Sequence, residues 1–162
     1  MNNGFEARTR SLCTQQIRSG VDFFGDGILA FFESTEENVP QMATDAVECA
    51  IQMQRELRRV SQENLAEGLP EIGMGIGIHT GQVIVGNVGP EARAKYGIVG
   101  SPVNLAQRLE SIAGKGEILV SAQTYEKLPD TTRIVRNSAV CLWGLNGAHQ
   151  VFKVEYEENA SH

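Results

Sequence analysis

The side chains with the clearest capacity for chemistry are an amide and a guanidinium on one predicted helix, Asn104 and Arg108. Ser101 and Pro102 predict the start of that helix, because a serine hydroxyl can accept a hydrogen bond as an N-cap and proline has no N–H to leave unpaired. A spacing of four residues puts both polar side chains on one helix face. A planar guanidinium beside an amide can hold phosphate oxygens or an attacking hydroxyl. The same spacing is common on a solvated helix surface, so the spacing leaves both interpretations open.

The segments that precede this helix predict elements that could position it. Val21–Phe32 has two β-rich arms around a Gly-Asp-Gly sequence, which predicts a hairpin with Asp26 at its tip. Apolar residues at helical spacing predict a long amphipathic helix from Gln41 to about Asn64. Ile72–Ile78 alternates glycine with a large apolar residue, which predicts a strand whose bare face is closely approached by something else.

His79 follows the glycine-rich strand, and its type would allow it to act as a catalytic base. No carboxylate or nucleophile lies near it in the sequence, so the interpretation as a turn residue is favoured. The glycines around it fit neither G-x-G-x-x-G nor G-x-x-x-x-G-K-[ST], which excludes the common nucleotide-binding loops.

The remaining predicted elements are shorter. They are a helix over Phe5–Arg18, strands over Gln82–Gly89, Tyr96–Val99 and Gly116–Ser121, a short helix over Ala122–Leu128, and strands over Arg133–Val135, Val140–Leu142 and Val151–Val154. Strands and helices alternate irregularly and hairpins are present. This order predicts an α+β sandwich with a mainly antiparallel sheet and helices on one or both faces.

Composition indicates a single globular domain over residues 1–162, with 41% hydrophobic and 21% charged residues. No apolar run approaches the roughly 20 residues that cross a bilayer, and the first residues lack a signal-peptide pattern, so we expect a cytoplasmic protein without a membrane span. The three cysteines are widely spaced and predict neither a disulfide framework nor a metal site. A net charge of −6 without a Lys/Arg cluster argues against nucleic-acid binding.

Taken together, the motifs resemble the catalytic domain of class III nucleotidyl cyclases, the adenylate and guanylate cyclases. The resemblance covers about residues 21–154 and rests on the following motifs in order: FGDGILAFF at 24–32, GIGIHTGQVIVGNVG at 75–89, YGIVGSPVNLAQRLE at 96–110 and GEILVS at 116–121. It implies a ferredoxin-like α/β sandwich. It also implies that a nucleoside triphosphate's 3′-hydroxyl attacks its own α-phosphate, giving a 3′,5′-cyclic nucleotide and pyrophosphate with two Mg²⁺ or Mn²⁺ ions.

The resemblance further implies a site shared between two subunits, a homodimer or a heterodimer of cyclase domains. Asp26 matches one of two metal-binding aspartates, which one subunit supplies. Asn104 matches the residue that positions the ribose, and Arg108 matches the one that stabilises charge on the α-phosphate, both from the other subunit. Ser101 lies where an Asp or Thr commonly accepts from the adenine amino group, and its other interpretation is a plain N-cap. ATP is expected in preference to GTP.

Departures from the family pattern predict weak or absent activity. Asp22 lies at a position where adenylate-forming members usually have a purine-reading lysine, unless a one-residue deletion in this arm leaves that position empty. Trp143 lies where the family often has a phosphate-binding lysine. The family strand with the first metal aspartate should precede the helix at Phe5–Arg18, so we expect an N-terminally shortened domain.

Two other interpretations compete with an active cyclase. One is a catalytically silent cyclase-homology domain that serves nucleotide binding, dimerisation or regulation. The other is a binding module of sheet and helices unrelated to cyclases. The sequence alone distinguishes them only through the order of its motifs.

Overall fold

The computed structural model describes residues 20–24, 26–90 and 95–156. Its strands are β1 (Val21–Phe24), β2 (Gly27–Ala30), β3 (Ile76–Ile78), β4 (Ile84–Val88), β5 (Lys95–Val99), β6 (Ile118–Ser121), β7 (Ile134–Cys141) and β8 (Ala148–Val154). Its helices are α1 (Val39–Ala66), α2 (Ser101–Ile112) and α3 (Ala122–Tyr125), with a 3-10 turn at Glu36–Asn38 before α1. The helix predicted over Phe5–Arg18 lies outside the described residues.

A central sheet joins a strand from the middle of the chain to three strands from the C-terminal part of the described residues. It has four strands in the order β3-β6-β8-β7, in which β3 and β6 are parallel and the other pairs are antiparallel. The antiparallel hairpins β1–β2 and β4–β5 form separate two-stranded sheets. This mainly antiparallel arrangement with flanking helices confirms the predicted α+β fold.

One face of the central sheet packs against α1. Successive side chains of a strand point to opposite faces, so Ile118 and Val120 of β6 share a face. They form a buried cluster with Val47 and Ala50 of α1. The predicted amphipathic helix is confirmed and is slightly longer than predicted, and its buried residues lie between Ala43 and Ser61.

The opposite face packs against α2. Leu109, which is fully buried, contacts Leu119 of β6 and Val151 of β8. The sheet therefore lies between α1 and α2. Burial of apolar side chains against the sheet holds α2, the helix that carries Asn104 and Arg108, in place.

The glycines of β3 and of the segment before it allow the backbone of α2 to lie directly on this strand. A Cβ on Gly77 would overlap the backbone nitrogen of Glu110 and the backbone oxygen of Ala106. A Cβ on Gly75 would lie 2.5 Å from the carbonyl oxygen of Ala113, closer than any real Cβ contact. The close approach predicted from the alternating glycines is therefore confirmed, and the approaching element is α2.

Three local predictions were wrong in detail. Ser101 is not the N-cap of α2: it is already the first helical residue, and the cap is Gly100, whose carbonyl oxygen accepts from the Val103 N–H at 3.2 Å. The strands predicted over Arg133–Val135 and Val140–Leu142 are one strand, β7, because pairing with β8 continues between them. Only Ile76–Ile78 of the predicted Ile72–Ile78 strand is regular, where it pairs with β6.

Substitution of Gly77 by alanine tests the contact between α2 and β3. We expect Gly77→Ala to lower the free energy of unfolding by about 3 kcal/mol, since the new methyl group overlaps helix backbone that cannot move away alone. Gly114→Ala, after the end of α2, is the control, because a Cβ there makes only ordinary contacts with the Glu117 side chain, the nearest at 3.4 Å, and it should change the stability by less than about 1 kcal/mol. Denaturant unfolding measures both variants, and equal losses would contradict the proposed contact.

Candidate functional site

The polar face of α2 carries both residues that the sequence singled out. Leu105 and Leu109 belong to the buried side of the helix, in the cluster beneath it. Asn104 is exposed and Arg108 is half-buried. A helix fixed by its apolar side thus presents an amide and a guanidinium one turn apart, as the spacing predicts.

Arg108 lies against the loop between β7 and β8. A Cβ on Gly144 would be 3.3 Å from Nη2 of Arg108, so the guanidinium packs against the glycine backbone. Gly144 also has φ +69°, a conformation that favours glycine. Leu142 and Leu145, on either side of it, pack into the cluster that contains Leu109. The apolar cluster therefore fixes both the helix and the loop that confines Arg108.

Trp143 lies in the same loop and points into solvent. Its exposed fraction is 87%, the highest among the exposed large hydrophobic residues of the described chain. The indole therefore remains exposed in the residue next to the glycine that contacts Arg108.

Ser101 is exposed at the first position of α2, and its side chain makes no capping bond. It lies one turn before Asn104, at the end of the helix nearest β5. The structure thus places Ser101, Asn104 and Arg108 along one helix.

Asp22 and Asp26 belong to a different part of the molecule. The β1–β2 hairpin pairs Asp22 with Leu29 and packs through Val21 and Ile28 on Cys49 and Met53 of α1. Asp26 is exposed in the hairpin turn, which confirms its predicted position at the tip. The two aspartates are therefore on the hairpin that covers α1, whereas Arg108 is on the helix at the opposite face of the central sheet.

The described residues do not by themselves fit a two-metal site. An exposed carboxylate such as Asp26 is a suitable ligand for Mg²⁺ or Mn²⁺. In the described part of the chain, however, no three His, Cys, Asp or Glu residues are grouped so that they could hold a metal ion.

A buried polar network near α2 was missed from the sequence. His79 Nδ1 lies 2.8 Å from Ser121 Oγ, and Thr80 Oγ1 lies 3.0 Å from Thr124 Oγ1. Burial lowers the pKa of His79, so the imidazole is neutral at pH 7. The partners of His79 and Thr80 are 42 and 44 residues away in the chain, and parallel pairing of β3 with β6 brings them together. Neighbouring residues in the sequence therefore do not reveal these partners.

Comparisons with known proteins identify the family of the chain. The family described as "Adenylate and Guanylate cyclase catalytic domain" matches residues 1–154. The chain belongs to this cyclase family. Among curated relatives, Adenylate cyclase 1 of Rhizobium meliloti is 35% identical over 92 residues, which is 57% of this chain and 14% of that protein.

Solved cyclase structures have the same fold. The guanylyl cyclase Cya2 is 35% identical with a TM-score of 0.82, and the match covers 94% of this chain and 77% of that chain. The adenylyl cyclase CyaB from P. aeruginosa is 28% identical with a TM-score of 0.87, covering 97% and 81% respectively. Within the described part of this cyclase domain, no helix has the length and apolar character needed to cross a membrane.

Two glycines of the β7–β8 loop allow the confinement of Arg108 to be tested. Gly144 and Gly147 both have positive φ, +69° and +80°, so alanine at either position should cost about 1 kcal/mol of stability. A Cβ on Gly147 meets nothing within 4 Å, whereas one on Gly144 presses on Arg108. We expect Gly144→Ala alone to shift the Arg108 Nε–Hε signal in NMR spectra. A comparable shift in Gly147→Ala would show that loop strain, and not the contact, affects the guanidinium.

Proposed function

We propose that the chain converts a nucleoside triphosphate to a 3′,5′-cyclic nucleotide and pyrophosphate, at a site shared between two subunits. In this reaction the 3′-oxygen bonds to the α-phosphorus, the bond from that phosphorus to the pyrophosphate oxygen breaks, and the hydroxyl proton is released. The observation that carries the proposal is the polar face of α2, where Asn104 and Arg108 are fixed on a buried helix in a chain of the cyclase family.

Arg108 would bind the α-phosphate through its guanidinium. Charge on the phosphate oxygens grows as the 3′-oxygen attacks, and a fixed cation stabilises that state more than the ground state. Contact with Gly144 supports this role, since it places the guanidinium beside a loop that is anchored in the apolar cluster under α2. Asn104, one turn earlier, would hydrogen-bond the ribose and hold the 3′-hydroxyl in line with the phosphorus.

Asp26 would be one ligand of the Mg²⁺ or Mn²⁺ ions that this family uses. The ions would neutralise phosphate charge and favour ionisation of the attacking hydroxyl. Since the described residues do not complete a two-metal site, the role proposed for Asp26 is that of a single contributing carboxylate.

ATP is the first substrate to test, because the named relatives at 35% identity include an adenylate cyclase. GTP is a second candidate, and Asp22 is the observation that favours it. An ionised carboxylate only accepts hydrogen bonds, which suits the N–H groups on the guanine edge better than the unprotonated N1 of adenine. Ser101 can donate to or accept from either base. Cya2, a guanylyl cyclase, is also 35% identical to this chain.

The proposed partner subunit is a second copy of this chain. The β4–β5 hairpin supports this, since Ile84 and Val99 are paired on one face and are 77% and 50% exposed. The next pair on that face, Gly86 and Gly97, presents bare backbone, and a Cβ on either glycine would meet nothing within 4 Å. An apolar, flat surface of this kind is typical of a protein interface. A shared site would also unite Asp26 and Arg108, which lie on separate elements of one chain.

Weak activity follows from Trp143. A neutral indole in the loop that contacts Arg108 leaves the triphosphate, which carries about four negative charges, with one cation fewer than a lysine there would supply. A catalytically silent, nucleotide-binding homologue is therefore the alternative outcome of an activity assay.

Mixing of inactive variants tests the shared site. In assays with MnATP and MnGTP, Asp26→Ala and Arg108→Ala should each lose at least about 100-fold in turnover. An equal mixture should regain about a quarter of the wild-type rate, because half of the dimers are mixed and each has one intact site. The control mixture of Asn104→Ala with Arg108→Ala should regain nothing, since both changes lie on α2.

No cyclic product from the wild type with either nucleotide would favour the silent homologue. No recovery in the first mixture, although labelled subunits exchange, would contradict the shared site.

Substitution of Trp143 tests the reason for weak activity. We expect Trp143→Lys to raise kcat/KM about tenfold or more, because the lysine restores a cation beside the triphosphate. The gain should decrease as the salt concentration increases. Trp143→Met, which removes the indole without adding charge, is the control and should give no gain. Equal rates in both variants would mean that the indole, and not the missing charge, limits turnover.

A further inference from the structure

The His79 network joins the ends of two parallel strands to the start of α3. Ser121 is the last residue of β6 and the N-cap of α3, where its hydroxyl accepts from the Thr124 N–H at 3.3 Å. The same oxygen lies 2.8 Å from His79 Nδ1 and 3.2 Å from Thr124 Oγ1. Ser121 and Thr124 are 3% and 0% exposed. Buried hydroxyls with several partners hold their neighbours in one arrangement, because any displacement leaves a buried polar group unpaired.

The turn that carries His79 supports the first residues of α2. A Cβ on Gly81 would lie 2.6 Å from Cγ of Pro102 and 3.1 Å from Nε2 of His79, so the imidazole and the proline ring both lie close to the same side of Gly81. A Cβ on Gly100 would lie 3.5 Å from both the Gln82 oxygen and Cγ1 of Val83. The start of α2 therefore rests on residues 79–83.

We propose that His79 is a positioning residue for α2: through its hydrogen bond to Ser121 it holds the turn that fixes the helix start, and so the place of Asn104. This inference rests on the function proposed above for Asn104 and Arg108. It assigns to His79 no contact with nucleotide and no proton transfer.

The two site residues should depend on His79 to different degrees. Asn104 lies in the first turn of α2, directly after the residues that the turn supports. Arg108 lies one turn later. There the helix backbone at Ala106 and Glu110 packs on Gly77, and the guanidinium contacts Gly144. Neither contact involves the turn that carries His79. Loss of the His79 bond should therefore displace Asn104 more than Arg108. Displacements of about 1 Å at such a residue can reduce turnover about a hundredfold.

Two substitutions of His79 separate positioning from folding. In His79→Asn the amide nitrogen can take the place of Nδ1 and keep the bond to Ser121, whereas His79→Leu fills similar space without a polar atom. Tyr156→Phe is the control: it removes a hydroxyl bond of 2.6 Å to the Gly116 oxygen, at the other end of β6 from Ser121.

Hydrogen exchange measures the position of α2 without any nucleotide. We expect backbone amides in the 103–106 segment to exchange at least about tenfold faster in His79→Leu, but within about threefold of wild type in His79→Asn and Tyr156→Phe. Amides of α1 should keep their protection in all three variants. Unchanged exchange at 103–106 in His79→Leu, or equal acceleration in the Asn variant, would overturn the inference even if the protein makes cyclic nucleotide.

Turnover gives the second measurement. His79→Leu should lower kcat about ten- to a hundredfold with KM changed less than about threefold, and His79→Asn should restore most of the loss. In an Asn104→Ala background, His79→Leu should have little further effect, because the residue it positions is already gone. Full additivity of the two changes would overturn the inference. If the wild type makes no product, the proposed function fails, and the exchange result still decides whether His79 positions α2.

Discussion

The structure depends on one close contact, between the backbone of α2 and the glycine face of β3. Side chains normally keep a helix about 10 Å from a sheet, but Gly75 and Gly77 remove that spacer. The helix thereby gains a fixed distance and rotation relative to the sheet, with Leu109 buried beneath it. Its opposite face can then carry polar groups at defined positions, because a helix that could roll or slide would not hold Asn104 and Arg108 toward one ligand.

The proposed binding of a triphosphate depends on a second contact, between Arg108 and the β7–β8 loop. One side of the Arg108 guanidinium lies against the Gly144 backbone. The β7–β8 loop and α2 share one apolar cluster, so the loop that contacts the guanidinium is anchored in the core. Trp143 of the same loop is exposed, and we propose that it takes the place of a second cation there.

Local sequence predicted much of the fold and of the candidate site. It could not predict the rest, and the reasons are physical. Alternation of glycine before Ile78 predicted a closely approached strand, and helical spacing predicted the face of Asn104 and Arg108. The wrong N-cap at Ser101 arose because propensity cannot distinguish adjacent positions when Gly100 can supply the cap. Long-range strand pairing could not be predicted from local sequence, because the β3–β6 register that brings His79 to Ser121 depends on the tertiary fold. The Gly144 contact with Arg108 likewise depends on where the β7–β8 loop folds back.

The central claim is that α2 is the phosphate- and ribose-binding half of a site shared by two copies. A crystal structure of the protein with a non-reactive ATP or GTP analogue and Mn²⁺ tests it most directly. We expect the α-phosphate to lie about 2.7–3.2 Å from the Arg108 guanidinium, the ribose to contact Asn104, and Asp26 of the second copy to approach the phosphates. A bound nucleotide that touches neither Asn104 nor Arg108, or one held entirely within a single chain, would contradict the account.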